Sequence, residues 1–217
     1  FISVYTGEDS MKHIDPGISE EVQRGIYEWH RQLRTGDVVL DIGAHYGHFT
    51  TLAASKVGPT GTVYAFEPHP DNFQKLMDNC EELKNVRKIN AAAWDVDCIS
   101  LLFPMKGNTG GHSLIEFLDH LATINVKTLN IGEWAVRNQV RPDFVKVDAE
   151  SSEFNILSSF MNAGITPEFA LEIHTEFLFE RCRKLLTACG YFVEPEKPTC
   201  TRCLMFAWKV TDDIGAL

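Results

Sequence analysis

The sequence predicts an α/β fold with a mostly parallel sheet, and three observations predict it. Short apolar runs rich in Val, Ile and Phe alternate with stretches of helical spacing. Glycines and prolines fall at the joints between them. The first such joint, Asp41-Ile42-Gly43, directly follows the apolar run Val38-Val39-Leu40 and precedes a helical stretch.

In chain order, Ser19 is placed to cap a helix with Glu20 and Glu21 in its first turn, and Val22, Ile26, Trp29 and Leu33 carry it to Gly36. Residues 1–36 therefore read as an N-terminal helical segment packed on the domain. The strand into Asp41 follows, then a helix from Tyr46 to Val57 stopped by Gly58. A second strand runs Thr62 to Glu67, Pro68 breaks it, and Phe73, Leu76, Met77 and Cys80 place a helix over Asp71 to Leu83. A third strand is expected from Val86 to Ala92.

Between Cys98 and Pro142 the rhythm changes, and residues 98–142 read as an insertion on the substrate side. It holds two strands, Cys98 to Phe103 and Val126 to Leu129, and a glycine loop from Lys106 to His112. The alternation then returns with a strand at Phe144–Asp148, a helix at Glu153–Ala163, a strand at Phe169–Ile173 and a helix at Glu176–Ala188. An antiparallel hairpin, Tyr191–Val193 with Leu204–Val210, closes the sheet. No repeat or linker interrupts the 217 residues, of which 44% are hydrophobic, so one domain spanning 1–217 is expected.

Charge narrows the partners. Twenty Lys and Arg against thirty Asp and Glu leave a net charge of −10 with no basic run, which disfavours nucleic acid. No apolar run is long enough to span a bilayer, and Phe1-Ile2-Ser3-Val4 does not resemble a secretory leader, so a cytoplasmic protein is expected. The six cysteines are scattered as in a reducing compartment. Cys200 and Cys203 have metal spacing but lack a second ligand pair, so no zinc is expected there, and no metal elsewhere.

The turn around Gly43 and Gly47 lets a ligand approach backbone at a helix N-terminus. The dinucleotide pattern G-x-G-x-x-G is missing its third glycine, and Asp41 would repel a pyrophosphate but suits the ammonium of a methionine moiety. Glu67 ends the second strand, where a carboxylate accepts hydrogen bonds from both hydroxyls of a ribose. Together Asp41, Gly43, Ala44, Gly47 and Glu67 point to S-adenosylmethionine. Asp95, beside Trp94 after the third strand, is a candidate for the adenine amino group.

Within the motif Val145-Lys146-Val147-Asp148-Ala149-Glu150, Lys146 and Asp148 share one face of a buried strand, so the lysine requires a partner; Glu172 on the next strand is the expected one. Asp148, Glu150 and His174 fall at carboxyl ends of strands, where open α/β sheets bind ligands. His174 is expected to serve as general base and Asp148 to contact cofactor or substrate. His48 and His112 are expected to be solvent-exposed, and Trp29, Trp134 and Trp208 to lie in the core.

The segments Val39 to Gly47, Ala65 to Phe73 and Val145 to Glu150, supported by Asn90-Ala91-Ala92, Val126 to Leu129 and Leu171 to His174, resemble the FkbM-type methyltransferases over residues 37 to 174. The resemblance implies a Rossmann-like class I methyltransferase fold with a seven-stranded sheet and methyl transfer to a hydroxyl or carboxyl oxygen of a sugar or small metabolite. Three positions depart from the family pattern. His45 stands where Asn is frequent, Ser151 where Gly usually follows the acid, and Ser152 where an apolar residue usually precedes Glu153. The rival of another class is a non-catalytic S-adenosylmethionine-binding module within a larger assembly. An NAD-linked dehydrogenase is disfavoured by Asp41 and the glycine spacing.

Overall fold

A computed structural model of the chain describes residues 11–116, 122–195 and 203–209. Two sheets organise them. The larger has seven strands: β1 (Val38–Ile42), β2 (Thr62–Phe66), β3 (Val86–Ile89), β7 (Phe144–Val147), β8 (Glu168–Ile173), β9 (Phe192–Pro195) and β10 (Cys203–Trp208). Their order is β3-β2-β1-β7-β8-β10-β9, parallel except for β10, which runs antiparallel to both of its neighbours. The chain reverses its direction of winding between β1 and β7, and a ligand crevice forms at such a switch point.

Strand alternation sends side chains to two cores. Val39, Val63, Ala65, Phe144 and Ala170 face α1 (Pro16–Gln23) and α2 (His48–Val57), with α3 (Pro70–Asn79) contributing Leu76. Leu40, Ile42, Phe66, Val145, Val147 and Leu171 face α5 (Glu153–Asn162) and α6 (Glu176–Ala188). Both faces are covered, which is why the central strands read as nearly continuous apolar runs.

The insertion contains more order than its sequence suggests. The expected third strand divides: Val86–Ile89 joins the main sheet, while Ala92–Trp94 (β4) turns away to pair with β6 (Ile124–Asn130), which also carries β5 (Cys98–Leu102). A seven-residue helix, α4 (Ile131–Arg137), follows directly, its N-terminus capped by the Asn130 side chain accepting from the Glu133 amide. A Cβ at Gly132 would lie 2.2 Å from the Ser159 carbonyl, so glycine is what lets α4 press against α5.

The N-terminal segment also departs from expectation. The cap is Asp15, whose carboxylate accepts from the Gly17 and Ile18 amides, and Ser19 sits inside the helix. Gly25 adopts φ 71°, which ends the helix and starts a short 3-10 turn at Ile26–Glu28. Trp29 is consequently 68% exposed rather than in the core. Cys200 and the end of the hairpin at Val210 lie outside the described residues; Cys203 is buried on β10. Among the described residues no helix is long and apolar enough to cross a membrane.

Candidate active site

One pocket opens at the carboxyl ends of β1, β2 and β7. Gly43, Ala44, His45, Phe66 and Glu67 line one side, and Lys146, Asp148, Glu150 and Ser152 line another. Ala92, Ala93 and Leu102 supply an apolar wall. The roof comes from Ile18 and Val22 of α1 and from Thr109, Gly110, His112 and Leu114 of the insertion.

The turn after β1 is shaped by backbone that glycine tolerates best. Gly43 has φ 74°, and a Cβ there would sit 1.8 Å from the Asp148 carbonyl oxygen. Gly47, at φ 89°, precedes α2 and packs against Leu76 of α3, so its role is to seat the helix and it does not line the pocket. His45 lies between them at φ 52°. Asparagine and histidine accept this left-handed backbone more readily than most residues.

Glu67 is 5% exposed and ties the two strand ends together. Its Oε2 accepts from the His45 amide at 2.8 Å and its Oε1 from the His69 amide at 2.9 Å. Burial pushes the carboxyl up to about 7 against the pull of these two hydrogen bonds. Each oxygen still offers a second lone pair, which is the arrangement a vicinal diol requires.

Asp41 is wholly buried and does not line the pocket. It accepts from the Thr50 hydroxyl at 2.6 Å and faces the Lys146 ammonium at 3.3 Å, so its carboxylate is engaged inside the protein rather than presented to a ligand. Register explains this: Asp41 stands opposite Lys146 across the β1–β7 pair. Lys146 also donates to the Gly43 carbonyl at 2.7 Å and lies 3.7 Å from Asp148. Its expected partner, Glu172, instead accepts from the Tyr27 hydroxyl at 2.9 Å. Burial works against the lysine's charge, but Asp41, Asp148 and Glu172 outweigh it and raise its pKa. Asp95 also stands apart from the pocket, its carboxylate taken by Asn155 at 2.7 Å.

The acidic side of the pocket is gathered from two strand ends. His174 Nδ1 lies 3.1 Å from Oε1 of Glu153, and Nε2 is 3.5 Å from Glu150 and 3.8 Å from both Asp148 and Glu172. Burial alone would lower the histidine's pKa, but the bond to Glu153 and the charges of Glu150 and Asp148 raise it to about 9. An imidazole held protonated in this way is the opposite of a proton acceptor, and the general-base role expected of His174 does not fit this setting. Burial first, then the neighbouring carboxylates, push Glu150 up to about 7.

Glu150 and Ser151 have φ 44° and 79°, a left-handed bend that throws Glu150 into the pocket. Glycine adopts this backbone without strain, whereas a side chain at Ser151 does not. Sequence reasoning misses Glu153 as the partner of His174; its place in the first turn of the helix directly after the acidic motif is the available signal.

The remaining histidines are more enclosed than expected. His48 is 2% exposed and accepts the Asp15 amide on Nε2 at 3.0 Å, tying α1 to α2. His112 is half-buried, accepts the Met105 amide on Nδ1, and is pushed down to about 4 chiefly by burial. His45 Nε2 meets the Thr109 hydroxyl at 3.0 Å, and Asn72 donates to the Thr109 carbonyl, so two residues of the glycine-turn neighbourhood hold the insertion loop over the pocket. Burial pushes His45 down to about 3.

The pattern that defines the Methyltransferase FkbM domain matches residues 41–193. Hexuronic acid methyltransferase AglP of Haloferax volcanii is 27% identical over 166 residues, which are 74% of this chain and 66% of that protein, just under two thirds of its length. Among solved structures, methyltransferase FkbM from Methylobacillus flagellatus superposes with a TM-score of 0.57 at 17% identity, covering 88% of this chain and 50% of that one. Fibrillarin from Aeropyrum pernix, solved with natively bound S-adenosyl-L-methionine, gives 0.55 at 13% identity over 87% of this chain and 74% of that one.

Proposed function

The chain belongs to the FkbM methyltransferase family, and from that premise we propose that it transfers a methyl group from S-adenosylmethionine to an oxygen of a small molecule or sugar. The observation that carries this reading is one pocket with two unlike sides. A diol-accepting carboxylate and an apolar wall stand on one side, and Asp148 and Glu150, just past the end of β7, stand on the other.

The residues fit the cofactor. Glu67 has a free lone pair on each oxygen for the ribose hydroxyls, and Phe66, Ala92 and Ala93 offer an apolar slot for adenine. When bound, the cofactor supplies a methyl on a sulfonium, already a strong electrophile, so the protein's work is chiefly placement. Lys146 does part of that work by fixing the Gly43 carbonyl and holding β1 against β7. Asp41 acts through Lys146. On the acceptor side, Asp148 and Glu150 face the pocket with His174 behind them, under the roof formed by α1 and the insertion loop.

A hexuronic acid is the acceptor to try first, because the relative from Haloferax volcanii carries that name. Purified protein incubated with methyl-labelled S-adenosylmethionine and a panel of uronic acids and neutral sugars should move label into the sugar fraction. The label should leave as methanol on mild base if a carboxyl oxygen is methylated, and stay if a hydroxyl is. A protein that binds the cofactor but moves no label to any oxygen acceptor would support the binding-module alternative instead.

A further inference from the structure

We infer that Asp148, Glu150 and His174 form a binding site for a divalent metal ion of the Mn2+ type on the acceptor side of the pocket. One ligand atom from each lies within 4.8 Å of the others. Their side chains are 29%, 23% and 16% exposed, which leaves an entry path yet denies the carboxylates full hydration.

The separations suit a shared central atom better than direct pairing. His174 Nε2 is 3.5 Å from Glu150 and 3.8 Å from Asp148, too long for good hydrogen bonds. Ligand atoms about 2.0–2.2 Å from a metal lie roughly 3–3.5 Å from one another, so the two Nε2 separations need contract by less than about 1 Å to meet a shared ion.

A second observation comes from outside the ligand set. Glu153 is fully buried, its Oε1 lies on His174 Nδ1, and its Oε2 has no hydrogen-bond partner. A buried carboxylate on Nδ1 favours positive charge on the ring, supplied by a second proton or by a cation on Nε2. Its bond to Nδ1 also aims Nε2 at the two carboxylates, which is how carboxylate–histidine–metal groupings orient an imidazole. Glu172, 3.8 Å from Nε2, adds a further acid to this end of the sheet. The nearby ammonium, Lys146, is engaged by Asp41 and the Gly43 carbonyl and lies 3.7 Å from Asp148 Oδ2, on the side away from the Oδ1 that faces His174. A cation on Nε2 would occupy the place of the ring's second proton.

Two carboxylates and an imidazole are a mixed oxygen and nitrogen set, suited to Mn2+ rather than to calcium, which takes oxygen alone, or to a closed four-ligand zinc site. Three protein ligands leave coordination positions open, and Asp148 and Glu150 line the pocket. The role, though not the site, rests on the methyltransferase reading: an acceptor hydroxyl on the ion loses its proton to bulk solvent. As the new O–CH3 bond forms, the S–CH3 bond breaks, leaving S-adenosylhomocysteine.

The test is titration of chelator-stripped protein with Mn2+, followed by the spin-resonance signal of the free ion. S-adenosylhomocysteine binding is measured in parallel by calorimetry. One Mn2+ per chain is expected, weakened at least tenfold by Glu150→Gln and by His174→Ala, and by about 10–100-fold in Glu153→Gln. Glu150→Gln is isosteric and carries the test if His174→Ala fails to fold; its far-UV circular dichroism should match the parent's, so that a loss of Mn2+ binding is read as loss of a ligand. A parent protein that takes up the nucleoside but no Mn2+, or Mn2+ binding equal in parent and Glu150→Gln, overturns the site. Mn2+ binding without any uptake of the nucleoside would leave the site standing and overturn the methyltransferase role.

Discussion

Replacing Glu67 tests the cofactor side of the pocket most sharply, because this one side chain serves two purposes. It accepts the His45 and His69 amides, and it keeps a lone pair on each oxygen for the ribose. Glu67→Ala removes both. Water entering the pocket can take up the two stranded amides, so the fold should lose about 1–3 kcal/mol, the net worth of two hydrogen bonds exchanged for water at roughly 0.5–1.5 kcal/mol each. Losing the paired hydrogen bonds to the diol should cost a further 1–3 kcal/mol of binding, about 5–150-fold in Kd for S-adenosylhomocysteine. Glu67→Gln should fall between, since an amide keeps one acceptor but turns an N–H toward a backbone N–H. Thermal unfolding and calorimetry on the same preparations separate the two losses. Parent-like affinity in a folded Glu67→Ala protein would refute the diol role.

The same carboxyl makes binding pH-dependent. Its pKa is raised from 4.5 to about 7 by burial, opposed by the two amides and by Lys146. Between those values the folded protein holds a proton that the unfolded chain has lost, so this group's contribution to stability falls as pH rises from 4.5 to 7. Ribose hydroxyls donate to the ionised form, so nucleoside affinity should climb through pH 7 and level off near about 8; a flat profile in the parent, or the same climb in Glu67→Gln, contradicts this. Lys146→Met should cost about 3–5 kcal/mol, because it strands the wholly buried Asp41 with Thr50 alone; urea unfolding within 1 kcal/mol of the parent, roughly the worth of an ordinary surface change, would argue against the pairing. Ser151→Gly should stabilise by about 0.5–1 kcal/mol, since φ 79° strains a side chain but suits glycine; an unchanged or lower melting temperature counts against it.

The alternation of strands and helices was legible because both faces of the sheet are buried, which writes the central strands as apolar runs. That Glu67, Gly43, Asp148 and Glu150 line one crevice was legible because strand ends and glycine turns mark themselves locally. What the sequence hides is which neighbour a strand faces. The face shared by Lys146 and Asp148 was readable, but β7 lies between β1 and β8, and period-two alternation does not choose between them. In the structure Lys146 stands opposite Asp41 on one side and Ala170 on the other, leaving Glu172 two residues further along. Helix α4 escaped notice because it is seven residues long with a glycine at its second position, too short for a periodic pattern. The break at Gly25 was hidden by the apolar spacing that continues across it, which a 3-10 turn satisfies as well as a helix does.

The central claim is that the pocket beside Glu67 is built for S-adenosylmethionine and not for a dinucleotide. Calorimetric titration of the parent protein with S-adenosylmethionine and, separately, with NAD tests it most directly. One molecule of S-adenosylmethionine per chain should bind, with no saturable heat from NAD; saturable NAD binding with none from S-adenosylmethionine would contradict it.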